Sequence, residues 1–245
     1  MLPTTEPPTG PPPTSRLLSE ATTWLQPVRL AARTAQLRRA PRGDGRLTVD
    51  IPGWLAGEAS TSPLRRYLRS LGHDARPWGL GRNGSDVEST VDVFEERLES
   101  LVAAGDGRPA QLVGWSLGGV IAREVARRRS DLVCRLVTFG TPAQGGPTHT
   151  AGASRFGAEE CERIATLQLE ANRDDPLQLP LTAIYTRADA VVNWRACIDP
   201  WALDARHIEV RSSHLGLGID PDVWELVAGA LAADDASDGD RPKQT

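Results

Sequence analysis

Lysine is almost missing from this chain. Of its 28 basic residues, Lys243 is the one lysine and the rest are arginine. Cysteine is scarce: Cys134, Cys161 and Cys197 are odd in number, widely spaced and without a C-x-x-C pair. That excludes a disulfide framework and a zinc knuckle, and leaves free thiols in a reducing compartment as the expectation. Histidine is represented by His73, His149, His207 and His214, none at metal-ligand spacing. No apolar run reaches the length of a membrane-spanning helix. Met1 to Thr5 show no basic stretch followed by an apolar one, so a cytoplasmic protein without a secretory signal is expected. A net charge of −4 argues against nucleic-acid binding. Aromatic residues are few and skewed, with seven Trp against three Phe and two Tyr.

The 245 residues, 40% of them apolar and 24% charged, suffice for one α/β domain with a substantial core. Residues 1–15 hold six prolines and residues 234–245 four aspartates, so both ends are expected to be disordered tails. Residues 16–46 carry seven Arg against Glu20 and Asp44. Their apolar positions Leu17, Leu18, Ala21, Leu25, Val28 and Ala32 have near-helical spacing, and Pro27 either kinks this segment or opens a second helix. Such a basic amphipathic segment either caps a domain or makes a weak contact with a membrane surface.

From residue 47 to 233, apolar runs alternate with helical stretches. Strands are expected at 47–51, 74–78, 111–114, 135–139, 181–186 and 208–211. Helices are expected at 63–71, at 85–104 behind a Ser85-x-x-Glu88 capping box, at 118–129 and at 221–232. This alternation predicts a parallel sheet covered on both faces. Residues 142–180 break the rhythm and read as a lid-like insertion, with a helical run near 158–171.

The strongest chemical signal is Gly114-Trp115-Ser116-Leu117-Gly118-Gly119, which fits G-x-S-x-G between an apolar strand and a helix. A serine on so tight a turn needs small neighbours two residues away. It stands at a helix N-terminus, which favours developing negative charge. His214 lies late in the chain, just past a strand, where an open parallel sheet keeps its site, and is the expected base. His207, in contrast, reads as structural. Asp189 follows the strand at 181–186 and falls between serine and histidine in chain order, so it is the expected orienting acid; Asp199 and Asp204 lie farther from a strand end.

With these residues in place the chain resembles the alpha/beta-hydrolase family over about residues 47–232, and in particular small bacterial serine esterases and lipase-like hydrolases. Further stretches that carry the resemblance are Pro52-Gly53-Trp54-Leu55, Trp78-Gly79-Leu80-Gly81-Arg82-Asn83, Thr138-Phe139-Gly140-Thr141-Pro142, Trp194 beyond Asp189, and His214-Leu215-Gly216. The family usually has His-Gly where this chain has Pro52-Gly53. The resemblance implies an oxyanion hole built from the backbone N–H groups of Trp54 and Leu117, with Leu55 as the other candidate for the first donor.

Gly79, Gly81, Arg82 and Asn83 are expected to form a structural turn rather than a phosphate cradle. Leu55, Trp115, Trp194 and Leu215 are candidates for the wall of an apolar acyl pocket. The expectation is thus a serine ester hydrolase working through an acyl-enzyme on a small-molecule ester, with no metal or organic cofactor implied. Acyl transfer by the same triad, an amide or thioester substrate, and a non-catalytic binding protein are the alternatives.

Overall fold

The computed structural model describes residues 8–84 and 86–233. Six strands form one all-parallel sheet: β1 (Leu47–Ile51), β2 (Asp74–Pro77), β3 (Ala110–Trp115), β4 (Val133–Phe139), β5 (Leu181–Tyr185) and β6 (Ala205–Glu209), in the order β2-β1-β3-β4-β5-β6. Side chains on a strand alternate between faces, so each strand feeds two cores. Val49, Ile51, Leu112 and Leu136 pack under α4 (Val87–Ala103) and α5 (Leu117–Arg128), against Phe94, Leu98, Ile121 and Val125. Val113, Val137, Phe139 and Ile184 face the other way, onto Leu64 and Leu68 of α3 (Ser62–Ser70) and Val223, Trp224 and Val227 of α7 (Pro221–Leu231). The central strands β1, β3, β4 and β5 are buried along nearly their whole length because both faces are covered.

Several boundaries differ from expectation by one to three residues, and two of the differences have a plain physical reason. α4 begins one residue later than the Ser85 capping box implied; Asp86 is the N-cap and its carboxylate accepts the Ser89 N–H. Aspartate caps as well as serine, and Ser85 itself lies outside the described residues. β6 runs over 205–209 instead of 208–211. It is an edge strand with half-exposed side chains, so it lacks the clean apolar signal of the central strands. Its place is set by pairing, with Leu181 opposite Ala205 and Tyr185 opposite Glu209.

Between β4 and β5 the insertion contains α6 (Ala158–Asp174). Buried polar side chains tie it to the domain: Arg123 of α5 donates to Asn172 Oδ1 at 3.1 Å and to Asp199 Oδ2 at 2.7 Å, and Asn172 Nδ2 donates to the Ala143 carbonyl at 2.7 Å. Burial disfavours the Asp199 carboxylate, but Arg123 outweighs it and holds its pKa below the ordinary value. Removing one partner of a buried pair strands the other charge. Asp199→Ala is therefore expected to cost about 3–5 kcal/mol of stability, read as a lowered midpoint in thermal or urea unfolding, while the folded fraction keeps its turnover.

Ahead of the sheet, Thr14–Leu25 form a 3-10 helix, followed by α1 (Gln26–Ala32), with Pro27 in its first turn, and α2 (Thr34–Leu37). Pro27 thus opens a second helix. The first half of this segment is turned polar side inward: Leu17, Leu18, Trp24, Leu25 and Val28 are exposed, while Ser19, Glu20, Thr23 and Gln26 contact the domain; farther along, Leu30 and Leu37 pack on the α3–α7 core. Of the expected N-terminal tail, residues 8–15 follow a defined course, with the Gly10 carbonyl accepting from Asn193 Nδ2 at 3.0 Å. Residues 1–7 and the expected acidic tail at 234–245 lie outside the described residues. No helix among the described residues is long and apolar enough to cross a membrane.

Candidate active site

All the candidate residues stand at one end of the sheet, because every strand is parallel and each loop beyond a strand's C-terminus opens on the same side. The loop after β3 is the elbow. Ser116 adopts φ 53° and ψ −121°, a conformation side chains seldom take. The surroundings force it. A Cβ on Gly114 would lie 2.4 Å from the Gly119 Cα, and one on Gly118 would lie 2.3 Å from the Ile51 carbonyl oxygen. Both flanking positions must therefore be glycine for β3 to turn directly into α5. The Ser116 hydroxyl has no hydrogen-bond partner among the described residues, and so is free to meet an incoming group.

His214 is buried in the loop after β6, and its Nδ1 is 2.7 Å from Asp189 Oδ2. Asp189, equally buried after β5, accepts the Val191 and Val192 amides through Oδ1 at 2.8 and 2.7 Å. This arrangement puts the proton on Nδ1 and leaves Nε2 as the lone-pair nitrogen. Burial disfavours the imidazolium, but the Asp189 carboxylate, with Glu20 behind it, overcomes that and raises the His214 pKa above its ordinary value. Gly140, after β4, fits against the ring at φ 57°; a Cβ there would lie 3.0 Å from Nδ1. Trp115 flanks the ring at 6.0 Å between centroids and stacks on Phe139.

The other titratable candidates are engaged elsewhere. Asp199 is bound to Arg123, and its backbone N–H donates to His207 Nε2 at 2.9 Å, so His207 is structural. Asp204 is exposed. Burial pushes the Cys197 thiol well above its usual pKa, with Asp189 adding to the effect, which leaves it unreactive.

The loop after β1 approaches the elbow closely: a Cβ on Gly53 would touch the Ser116 Cβ at 3.4 Å. Leu55 N–H is occupied by the Asn83 carbonyl at 2.8 Å, whereas the Trp54 and Leu117 amides donate to no atom among the described residues. Asn83, fully buried, grips this loop at three points. Its Nδ2 donates to the Pro52 carbonyl at 2.7 Å, its amide to Ala56 O, and its carbonyl accepts from Leu55. Through these bonds the turn at 79–83 holds the loop after β1 beside Ser116. Asn83→Ala is expected to lower kcat by up to about 10²-fold, because a displacement near 1 Å suffices for that, with KM changed much less; steady-state kinetics on a chromogenic ester check it.

Of the pocket candidates, Leu55 and Leu215 form exposed apolar points on the rim and Trp115 is partly buried beside His214. Trp194 instead packs on Tyr185 between the guanidinium groups of Arg187 and Arg195. Trp54 meets Phe156 and Arg155 of the insertion, which thus covers one side of the site. A cleft of about 400 Å³ lies between the N-terminal segment and the β5–β6 edge, lined by Ser19, Gln26, Ala188 and Ser212 among others, and does not include Ser116.

Sequence reasoning missed two residues that the structure brings in. Asn83 was visible only as part of a Gly-rich turn. Glu20 was visible as one of two carboxylates, with Asp44, among the seven arginines of residues 16–46, and its oxygens accept the His214 and Leu215 amides, each at 3.0 Å.

Comparison with known proteins places this geometry in context. The profile of the alpha/beta hydrolase family matches residues 10–240. The pimeloyl-(acyl-carrier protein) methyl ester esterase of Aliivibrio salmonicida (strain LFI1238) is 30% identical over 127 residues, which are 52% of this chain and 44% of that protein. Its namesake from Aromatoleum aromaticum is 34% identical over 94 residues, 38% of this chain and 36% of that protein. The chain therefore spans less than half the length of these relatives. Among solved structures, the monoacylglycerol lipase of Paleococcus ferrophilus matches with a TM-score of 0.55 at 15% identity, over 79% of this chain and 95% of that one. The thioesterase domain from the curacin biosynthetic pathway matches with a TM-score of 0.55 at 12% identity, over 79% and 93%. At such identities the likeness is one of fold.

Proposed function

Because the chain belongs to the alpha/beta hydrolase family, we propose that it is a serine hydrolase that cleaves a carboxylic ester through Ser116, His214 and Asp189. In this reading Ser116 Oγ attacks the ester carbonyl carbon while His214 Nε2 takes the hydroxyl proton. The carbonyl oxygen becomes an oxyanion facing the Trp54 and Leu117 amides, a type of contact worth several kcal/mol when both donors are pre-aimed. His214 then hands the proton to the departing alkoxide, leaving an acyl-enzyme. Water, deprotonated by the same nitrogen, resolves it to the carboxylic acid. Asp189 keeps the imidazole in the productive tautomer throughout. Leu55, Trp115 and Leu215 are assigned to an apolar acyl pocket, and Trp194, stacked on Tyr185, is left out of it. The proposal needs no metal or organic cofactor.

The observation that carries it is the 2.7 Å pair of buried Asp189 and His214 at the sheet end where Ser116 stands unpartnered on a strained turn. The methyl ester esterases among its relatives favour ester over amide as the bond cleaved. The test is a panel of nitrophenyl esters of increasing acyl length. Turnover at some chain length is expected, and absence of hydrolysis across the panel would overturn the assignment. Acyl transfer by the same residues would show as faster nitrophenol release and a new ester when a short alcohol is added.

A specific observation also favours a weak contact of residues 16–46 with an anionic lipid surface. Leu17, Leu18, Trp24, Leu25 and Val28 face outward, and Arg16, Arg38, Arg39 and Arg42 have no ion-pair partner among the described residues. Co-sedimentation with phosphatidylglycerol vesicles should retain the wild type and release a variant with Leu18, Trp24 and Leu25 all replaced by serine; equal partitioning would contradict it.

A further inference from the structure

The N-terminal segment touches the candidate site in a way its composition does not suggest. One face of it, at positions 19, 20, 23 and 26, is polar and directed at the two loops that carry Asp189 and His214. Ser19 Oγ donates to the carbonyl of Ala188, the residue before Asp189, at 2.6 Å. Thr23 Oγ1 meets Ser213 Oγ at 2.8 Å, and Gln26 Nε2 donates to Ser212 Oγ at 3.4 Å. Between them, Glu20 accepts His214 N–H on one carboxylate oxygen and Leu215 N–H on the other. The far end of the segment is anchored separately. Arg29 pairs with Asp220 and Asp222, and Arg33 with Asp222 and Glu225, all in or capping the first turns of α7.

These contacts have a mechanical consequence. The loop after β6 leaves the sheet at Glu209 and must hold an imidazole within a fraction of an ångström while a proton moves across it twice. Asp189 grips the ring from one side. Within the loop the Ser213 carbonyl accepts the Leu217 N–H at 3.0 Å, but the His214 and Leu215 amides donate outward, to Glu20, so the N–H side of the peptides that carry the ring is held by the N-terminal segment. A carboxylate bridging two consecutive amides is a charge-assisted, two-point contact, stronger than a neutral one.

We propose that the N-terminal segment is a working part of the active site, and that Glu20 is a positioning residue which fixes the main chain of the base His214 through its two-point contact. The proposal rests on the reading of His214 as the base. Glu20 acts through His214 and touches no substrate. Besides its geometric role it adds negative charge near the ring. The charged groups facing the imidazole are Asp189 from the β5 loop and Glu20 from the N-terminal segment, while Trp115 and Gly140 flank it without charge.

The test compares Glu20→Gln and Glu20→Ala with wild type and with Thr22→Ala, an exposed neighbour whose hydroxyl bonds only Ser19 O. Glu20→Ala is expected to lower kcat about 10- to 100-fold with KM within about twofold, as suits a misplaced base with an intact binding surface. Glu20→Gln keeps one acceptor oxygen and loses the charge, so it should lose less rate. In both variants the acid limb of the pH–rate profile should move to lower pH, since a negative charge that held the imidazolium is gone. Thr22→Ala should match wild type. A purely structural role would lower the unfolding midpoint without moving the acid limb. Wild-type kcat and an unmoved acid limb in both Glu20 variants would overturn the proposal.

A second readout does not depend on the reaction. The Nδ1–H proton of His214, assigned by its loss in His214→Gln, should give a sharp downfield NMR signal in wild type. It should broaden or shift in Glu20→Ala. An unchanged signal would overturn the positioning role even if the protein hydrolyses esters. A changed signal in a protein inactive on every ester would uphold the positioning role while the ester reading fails.

Discussion

Ser116→Ala is expected to reduce kcat for ester hydrolysis by about 10⁶-fold, the scale reached when the nucleophile of such a triad is removed. The loss follows from what the elbow provides. The hydroxyl is unpartnered, held on a turn that Gly114 and Gly118 alone permit, and directed away from the sheet at the start of α5. No neighbouring side chain can replace it. The nearby thiol of Cys197 is buried and held protonated, and the remaining carboxylates near the ring are engaged. Alanine adopts the positive φ with the same difficulty as serine, so the unfolding midpoint should stay close to wild type. KM should change little, because the acyl pocket and the two amides survive. Residual turnover within tenfold of wild type would place the nucleophile elsewhere.

Asp189→Asn is expected to cost about 10⁴-fold in kcat, for a reason readable in the hydrogen bonds. Oδ1 accepts two amides, from Val191 and Val192, so an asparagine keeps its carbonyl there and turns its NH₂ toward His214. An NH₂ donates to Nδ1, which forces the ring proton onto Nε2 and removes the lone pair that must take the serine proton. The substitution also alters pH dependence. In wild type the His214 pKa is raised, chiefly by Asp189 against the opposing effect of burial. Activity, which needs the neutral ring, should therefore fall away as pH drops through a midpoint above 6.5, the ordinary histidine value. In Asp189→Asn that midpoint should move down. A pH–rate profile of kcat/KM for the two proteins checks both the size of the loss and the direction of the shift. Asp199→Asn, whose carboxylate belongs to Arg123, should move neither.

The sequence made the sheet legible because β1, β3, β4 and β5 are buried along their length and rich in apolar residues, with single polar interruptions such as Asp50, Gln111 and Arg135. β6 was displaced because an edge strand with half-exposed side chains has no such pattern, and only its pairing to β5 fixes it. The elbow was legible because its motif lies within six residues, where Gly114 is forced by the closeness of Gly119, although the limit on Gly118 comes from the distant Ile51 carbonyl. Asp189 and His214 followed from the rule that parallel strands send their loops to one side. The partners that hold these loops were not legible. Asn83 reaches the oxyanion loop across 27 to 31 positions and Glu20 reaches His214 across 194. No local periodicity encodes such contacts. The N-terminal segment was misleading in a second way. Its apolar stripe suggested the face that packs, whereas the polar face is the one that docks, because the loops it meets offer backbone amides, a carbonyl and serine hydroxyls rather than apolar surface.

The most direct measurement of the central claim is covalent trapping with a nitrophenyl alkylphosphonate ester. The Ser116 oxygen should displace nitrophenolate from phosphorus, forming an oxygen–phosphorus bond that the oxyanion donors hold and water does not resolve. Intact-mass spectrometry should show one phosphonyl group per chain, released nitrophenolate should equal it, and peptide mapping should place it on Ser116 in wild type and nowhere in Ser116→Ala. An adduct on any other side chain, or equal labelling of the two proteins, would contradict the account.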